Sequence, residues 1–298
     1  MRPDNALSLM ASEEIELKDI EKNTHFWTSA PRDQILDEMI INSSRAGGFT
    51  VLHGAAGVGK SSLLDRAYTQ LSSRMREVLL VSYAASSLST QILMALTRYF
   101  GIQIGDHKDW SIYSEHLKSK MAHLNAPFVL LVDFQKLDHI TEDSFQSLRW
   151  IEELCDGQTN FMSIVSMRQR LYENLVADQK KWSSVDVKEV KPLNENEMKS
   201  YFLRTIQDAN IEIDTFSKDA VQSIITRSKG LLEILNPMVH GCITAMRNGS
   251  SEKIDQRFVD VLTKRMNLDS EEQHGATSEP RGHSAKKINL RDLLLIES

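Results

Sequence analysis

The stretch Phe49-Thr50-Val51-Leu52-His53-Gly54-Ala55-Ala56-Gly57-Val58-Gly59-Lys60-Ser61-Ser62 constrains this chain more than any other. A short apolar run leads into a glycine-rich turn, then Lys-Ser, then Leu63-Leu64 at the start of a helical pattern. Gly54-x-x-x-x-Gly59-Lys60-Ser61 matches the P-loop pattern in full, in the strand–loop–helix context that the pattern requires. Glycines let the backbone turn with positive φ and bring N–H groups close to phosphate oxygens. The helix that follows points its positive end at the same anion. Residues Gly54, Ala55, Ala56, Gly57, Val58, Gly59, Lys60, Ser61 and Ser62 are therefore the expected phosphate cradle. Lys60 would reach the β- and γ-phosphates, and the Ser61 hydroxyl would help to hold Mg²⁺. The expected ligand is a nucleoside triphosphate with magnesium.

The rest of the chain supplies the second half of such a site. Pro127-Phe128-Val129-Leu130-Leu131-Val132-Asp133 is a continuous apolar run ending in an acid. That pattern predicts a buried parallel strand with a carboxylate at its C-terminal edge. A lone Asp at a strand end is often a cap or turn residue, but beside this loop Asp133 is the expected magnesium ligand.

Alternating elements surround these two strands. The spacing predicts a helix from about 30 to 44, a strand at 49–53, a helix at 60–73 and a strand at 78–83. It continues with a helix ending near Phe100, a helix at 110–124, the strand ending at Asp133, a helix opened by Thr141, and strands at 161–166 and 185–190. Residues 194–265 predict helices only, with Asn194 and Glu197 forming a capping box and Pro237 kinking or ending a turn. The fold class expected is α/β, a five-stranded parallel sheet sandwiched by helices and followed by a small all-helical lid. The expected divisions are an arm at 1–24, an α/β nucleotide-binding domain at 25–192, the lid at 193–268, a flexible linker at 269–287 and an apolar segment at 288–298. That last segment suits either a helix folded back on the core or a tethered peptide that captures a protein partner.

Composition excludes several alternatives. The net charge is −6, so the chain as a whole is no nucleic-acid-binding polycation. Cys155 and Cys242 lack any CxxC or CxxxH partner, and the nine histidines show no metal-ligand spacing. Reduced thiols and the absence of a membrane-length apolar run lead to the expectation of a soluble, cytoplasmic protein.

Taken together, these stretches resemble the AAA+ superfamily, and within it the group of ExeA, MshM, TniB and TnsC. Phe26-Trp27-Thr28-Ser29-Ala30-Pro31-Arg32 resembles the aromatic–Ser–Pro–Arg segment before the first helix of those proteins. Residues 49–62 look like their Walker A motif, and Leu130-Leu131-Val132-Asp133 resembles Walker B. Ser228-Lys229-Gly230-Leu231-Leu232-Glu233-Ile234-Leu235-Asn236 is similar to their lid-helix start. The resemblance implies ATP as the nucleotide, base contacts near Phe26 or Trp27, and homo-oligomers in the ATP-bound state.

Two departures bear on catalysis. The family places Glu after the Walker B Asp to polarise water, whereas Asp133 is followed by Phe134 and Gln135. Phe134 cannot accept a proton, and Gln135 could only orient water. Glu142 and Asp138 are alternative acids, more simply a helix-start charge and a loop residue. The lid arginine of the family falls at Glu233, an opposite charge. Near the fourth strand, Arg168 or Arg170 could touch phosphate in cis or in a neighbouring subunit, or be solvated surface arginines. The expected function is an ATP-dependent switch or assembly factor with slow turnover. Two alternatives stand beside it: a DNA-binding transposition-type ATPase with Lys180, Lys181, Lys188 and Lys191 facing DNA, and a non-hydrolysing ATP-binding interaction module.

Overall fold

The apolar runs form strands because both of their faces are covered, which suits continuous Val, Leu, Ile and Phe better than alternation with polar residues. A computed structural model describes residues 29–43, 48–74, 77–82, 88–103, 110–124, 127–134, 142–156, 160–177, 185–249 and 251–266. The arm at 1–24, Phe26, Trp27, Gln135, Asp138, Lys180, Lys181, the 269–287 linker and the 288–298 segment lie outside those residues.

The α/β part runs α1 (Ala30–Asn42), β1 (Gly48–Gly54), α2 (Lys60–Ser73), β2 (Glu77–Ser82), α3 (Leu88–Tyr99), α4 (Trp110–Ala122), β3 (Phe128–Asp133), α5 (Glu142–Cys155), β4 (Phe161–Arg168), α6 (Gln169–Ala177) and β5 (Val185–Glu189). The five strands pair in the order β2-β3-β4-β1-β5, every pair parallel. Residues of the central strands alternate between two packed layers, as a period of two demands. On one face Val51, Phe128, Leu130, Val132 and Val165 meet α3, α4 and α5 through Leu96, Leu117 and Ile151. On the other, Leu52, Val129, Leu131 and Ile164 meet α1 and α2 through Met39, Leu64 and Leu71. Each of these side chains is almost wholly excluded from solvent, worth about 1.5–3 kcal/mol apiece before entropy is counted.

The helical part follows as α7 (Glu195–Asp208), α8 (Lys218–Ser228), α9 (Leu232–Arg247) and α10 (Gln256–Arg265). Three of its four starts are capped by side chains, that of α9 being the exception. Asn194 and Glu197 form a reciprocal capping box, Ser217 accepts from the Ala220 N–H, and Asp255 accepts from the Phe258 N–H. Phe202, Ile224, Leu235, Val239 and Cys242 form a separate apolar core. Among the described residues no helix is long and apolar enough to cross a membrane.

Two expectations need correction. Pro237 lies inside α9 and does not end it, since the helix continues to Arg247. The fourth strand extends to Arg168, so Met167 and Arg168 lie within β4, in register with His53 and Gly54. Helix α6 follows β4 without a break and was not anticipated. Ser29 is the N-cap of α1; its carbonyl takes the Arg32 and Asp33 amides, and its hydroxyl does not cap the helix.

Candidate functional site

Parallel strands deliver their C-terminal ends to one edge of the sheet, where open α/β folds bind ligands. Here that edge carries Gly54 from β1, Asp133 from β3 and Ser166 to Arg168 from β4. The register fixes their neighbours: Gly54 lies opposite Arg168, and Asp133 opposite Ser166.

The loop from Gly54 to Gly59 takes a sharp path. Gly57 and Gly59 have φ of +74° and +93°, a region that L side chains rarely adopt. Ala55, Ala56 and Ser62 are exposed, whereas Val58 turns inward against Leu63 and Val190. Gly59 is the N-cap of α2 and offers no side-chain acceptor, so the first amides of that helix are suited to an external anion.

Arg32 braces the loop from behind. Its guanidinium donates to the Val58 carbonyl at 2.6 Å and to the Lys191 carbonyl at 3.3 Å. Burial lowers its pKa from the usual arginine value, opposed by the charge of Glu197. A Cβ on Gly59 would sit 2.9 Å from Arg32 Nη1, so brace and glycine belong together.

Lys60 is 0% exposed. Its ammonium donates to the carbonyls of Gly54 at 3.0 Å and Ala55 at 2.7 Å. Burial pulls its pKa down to about 8; Asp133 and Glu233 oppose the fall and Arg168 adds to it. A cation so desolvated is receptive to an anion that restores its charge. Asp133 accepts on both oxygens: Ser61 Oγ donates to Oδ2 at 2.5 Å and Ser166 Oγ to Oδ1 at 2.5 Å. Ser61 and Asp133 together offer hard oxygen donors on the phosphate side of the loop. A magnesium ion that takes one carboxylate, a hydroxyl and substrate phosphates needs that set. The residues present fit a magnesium–triphosphate.

Next to Asp133 the pattern departs from a hydrolytic site. Phe134 is 0% exposed and packs in the apolar layer under the sheet, its N–H donating to the Ser166 carbonyl at 2.9 Å. A side chain committed to the core cannot orient water. Gln135 falls outside the described residues. His53 is a packed strand residue, stacked on Tyr172 with ring centroids 4.0 Å apart and bonded through Nδ1 to Gln169.

Other expected positions resolve simply. Lys188 is tied to Glu38 at 2.5 Å and to Asp186 at 3.2 Å, while Lys191 stands exposed 3.9 Å from Glu189. Cys155 and Cys242 are buried free thiols; burial raises the pKa of both, that of Cys242 to about 12. No group of three or more His, Cys, Asp or Glu among the described residues could hold a metal by itself. Sequence reasoning missed Arg32 as a loop brace and Ser166 as the second partner of Asp133, whereas the lid-helix resemblance over 228–236 singles out Glu233.

Residues 43–175 match the family described as "AAA domain". No curated protein matches the chain. Among solved structures, the chain is similar to Cdc6p from Pyrobaculum aerophilum, with a TM-score of 0.59 and 16% identity over 82% of this chain and 69% of that one. It is also similar to the Aeropyrum pernix Orc1 protein solved in complex with DNA, with a TM-score of 0.58 and 12% identity over 80% of this chain and 64% of that one. The fold is that of AAA+ P-loop proteins, a parallel α/β core followed by a helical part.

Proposed function

We propose that this protein binds ATP with magnesium at the edge formed by β1, β3 and β4, and acts as a nucleotide-dependent switch with slow turnover. One observation carries the reading. Ser61 and Ser166 both donate to Asp133 beside the buried ammonium of Lys60, while the adjoining position 134 is a buried phenylalanine. Lys60 meets the β- and γ-phosphates, and Ser61 and Asp133 hold the magnesium, which supplies charge neutralisation across those phosphates. Losing a water-positioning acid lowers the rate on the order of 10² to 10⁴. Binding therefore outlasts turnover. Residues 29–32 and 228–236 are in keeping with the ExeA, MshM, TniB and TnsC group, so the switch is assigned to an assembly process and to a homo-oligomer formed with ATP.

A second reading, an ATPase stimulated by DNA, draws on the likeness to the Orc1 protein solved with DNA. The ion pairs of Lys188 count against it. The test is equilibrium binding of fluorescent ATP with Mg²⁺ or with chelator, for the wild type and Lys60→Ala, with and without duplex DNA. The switch reading expects magnesium-dependent binding, weakened about a hundredfold or more in the variant and unchanged by DNA. Wild-type binding equal to that of Lys60→Ala would contradict it. DNA binding that weakens steeply with salt and requires ATP would favour the second reading.

A further inference from the structure

The first turn of the lid helix α9 lies directly on the phosphate loop. The backbone N–H of Glu233 donates to the Gly57 carbonyl at 3.1 Å. Its side chain crowds the same glycine: a Cβ on Gly57 would lie 2.7 Å from Glu233 Cβ and 2.7 Å from Oε2. Leu232 covers the next glycine in the same way, 2.7 Å from the place a Cβ on Gly59 would take. The negative charge of Glu233 also acts on the buried ammonium of Lys60. A carboxylate thus occupies the surroundings of the loop that binds phosphate, at the start of a helix whose own dipole favours an anion there.

We propose that Glu233 is an autoinhibitory latch, a carboxylate that stands in for phosphate at the loop and that a nucleotide must displace, lifting the first turn of α9 from Gly57. The inference rests on the nucleotide-binding reading. A carboxylate and a triphosphate are both anions, and holding them against one loop costs affinity through like-charge repulsion. Nucleotide occupancy is thereby coupled to lid position, with each able to bias the other. The lid returns to the α/β part through a junction held by the backbone. Lys229 and Gly230, both with positive φ, end α8, and the Gly230 carbonyl accepts from the Leu193 N–H at 2.9 Å where the chain leaves the sheet. Displacing Glu233 exchanges one anion for another at Lys60, so the buried ammonium remains compensated on both sides of the switch.

The test is a charge series at one position on the full chain: wild type, Glu233→Gln and Glu233→Arg, titrated with Mg²⁺ and fluorescent ATP, with Lys60→Ala as reference. Hydrogen exchange of residues 54–60 is followed in the same proteins without nucleotide. The latch predicts affinity rising from Glu to Gln to Arg, by roughly tenfold at the first step, and faster exchange in the loop of both variants. Equal affinities, all well above that of Lys60→Ala, would overturn the latch and leave the nucleotide reading standing. Weaker binding in Glu233→Gln would overturn it by making Glu233 part of the ligand-holding set. If no member of the series binds ATP, the nucleotide reading fails and the latch with it; faster loop exchange in the variants would then report only a contact within the protein.

Discussion

The segments that follow β1 and β3 meet at the same sheet edge, where Ser61 donates to Asp133, yet they differ in what they are equipped to do. After β1 the chain carries groups suited to an anion: positive-φ glycines, an uncapped helix start, a desolvated lysine and a hydroxyl. After β3, the chain spends its next side chain on the apolar core, with Phe134 wholly buried. Binding and hydrolysis of a nucleotide use separate groups, so one can be complete where the other is not.

The largest expected effect comes from forcing the second end to look like a hydrolytic one. Phe134→Glu places a carboxylate in the apolar layer, and we expect it to cost about 4 kcal/mol of stability, read by denaturant melts, without restoring turnover. A folded, fast variant would show that position 134 is free to face the site.

Lys60 sharpens the comparison from the other side through pH. With its pKa at about 8 in the folded protein and an ordinary 10.5 when unfolded, the unfolded chain binds the proton more tightly between those values. The penalty of the buried charge is therefore full below pH 8 and gone above pH 10.5. Stability of the nucleotide-free protein gains up to about 3 kcal/mol as pH rises through that window. ATP affinity moves the opposite way, because phosphate favours the protonated lysine. It should fall above pH 8, approaching tenfold per unit, and stay flat in Lys60→Arg if that variant binds. A flat wild-type profile to pH 9.5 would place the ammonium in water.

Smaller effects separate the magnesium groups. Asp133→Asn keeps the shape but loses the charge, and should bring ATP affinity in Mg²⁺ down roughly tenfold, to the value with chelator. Ser166→Ala removes one of two donors to Asp133 and should weaken the same affinity only about threefold, with a stability loss of about 1 kcal/mol. If Ser166→Ala matched Asp133→Asn, the serine itself would be a ligand contact.

Much of the fold was legible because its signals are local. The strands are apolar runs bounded by turn residues, the P-loop is contiguous, and Asn194 and Glu197 announce a helix start three residues apart. Helix α6 escaped notice because Met167-Arg168-Gln169 passes from strand to helix with no Gly, Pro or capping residue to mark the change. The site's long-range contacts were hidden for a different reason. Arg32 to Val58, Ser166 to Asp133 and Glu233 to Gly57 join elements remote in sequence, and only sheet order and lid placement bring them together. The burial of Lys60 was equally invisible, since a motif specifies the residue and not the carbonyls that hold it.

The most direct measurement of the central claim is steady-state release of phosphate from saturating Mg²⁺–ATP by the wild-type chain, at a protein concentration where binding has been confirmed. The account predicts saturable binding with turnover on the order of 10⁻² per second or slower, a hundredfold or more below an ordinary enzyme. Turnover on the order of 1 per second or faster, abolished in Lys60→Ala, would contradict it and show that another group does the work of the missing acid.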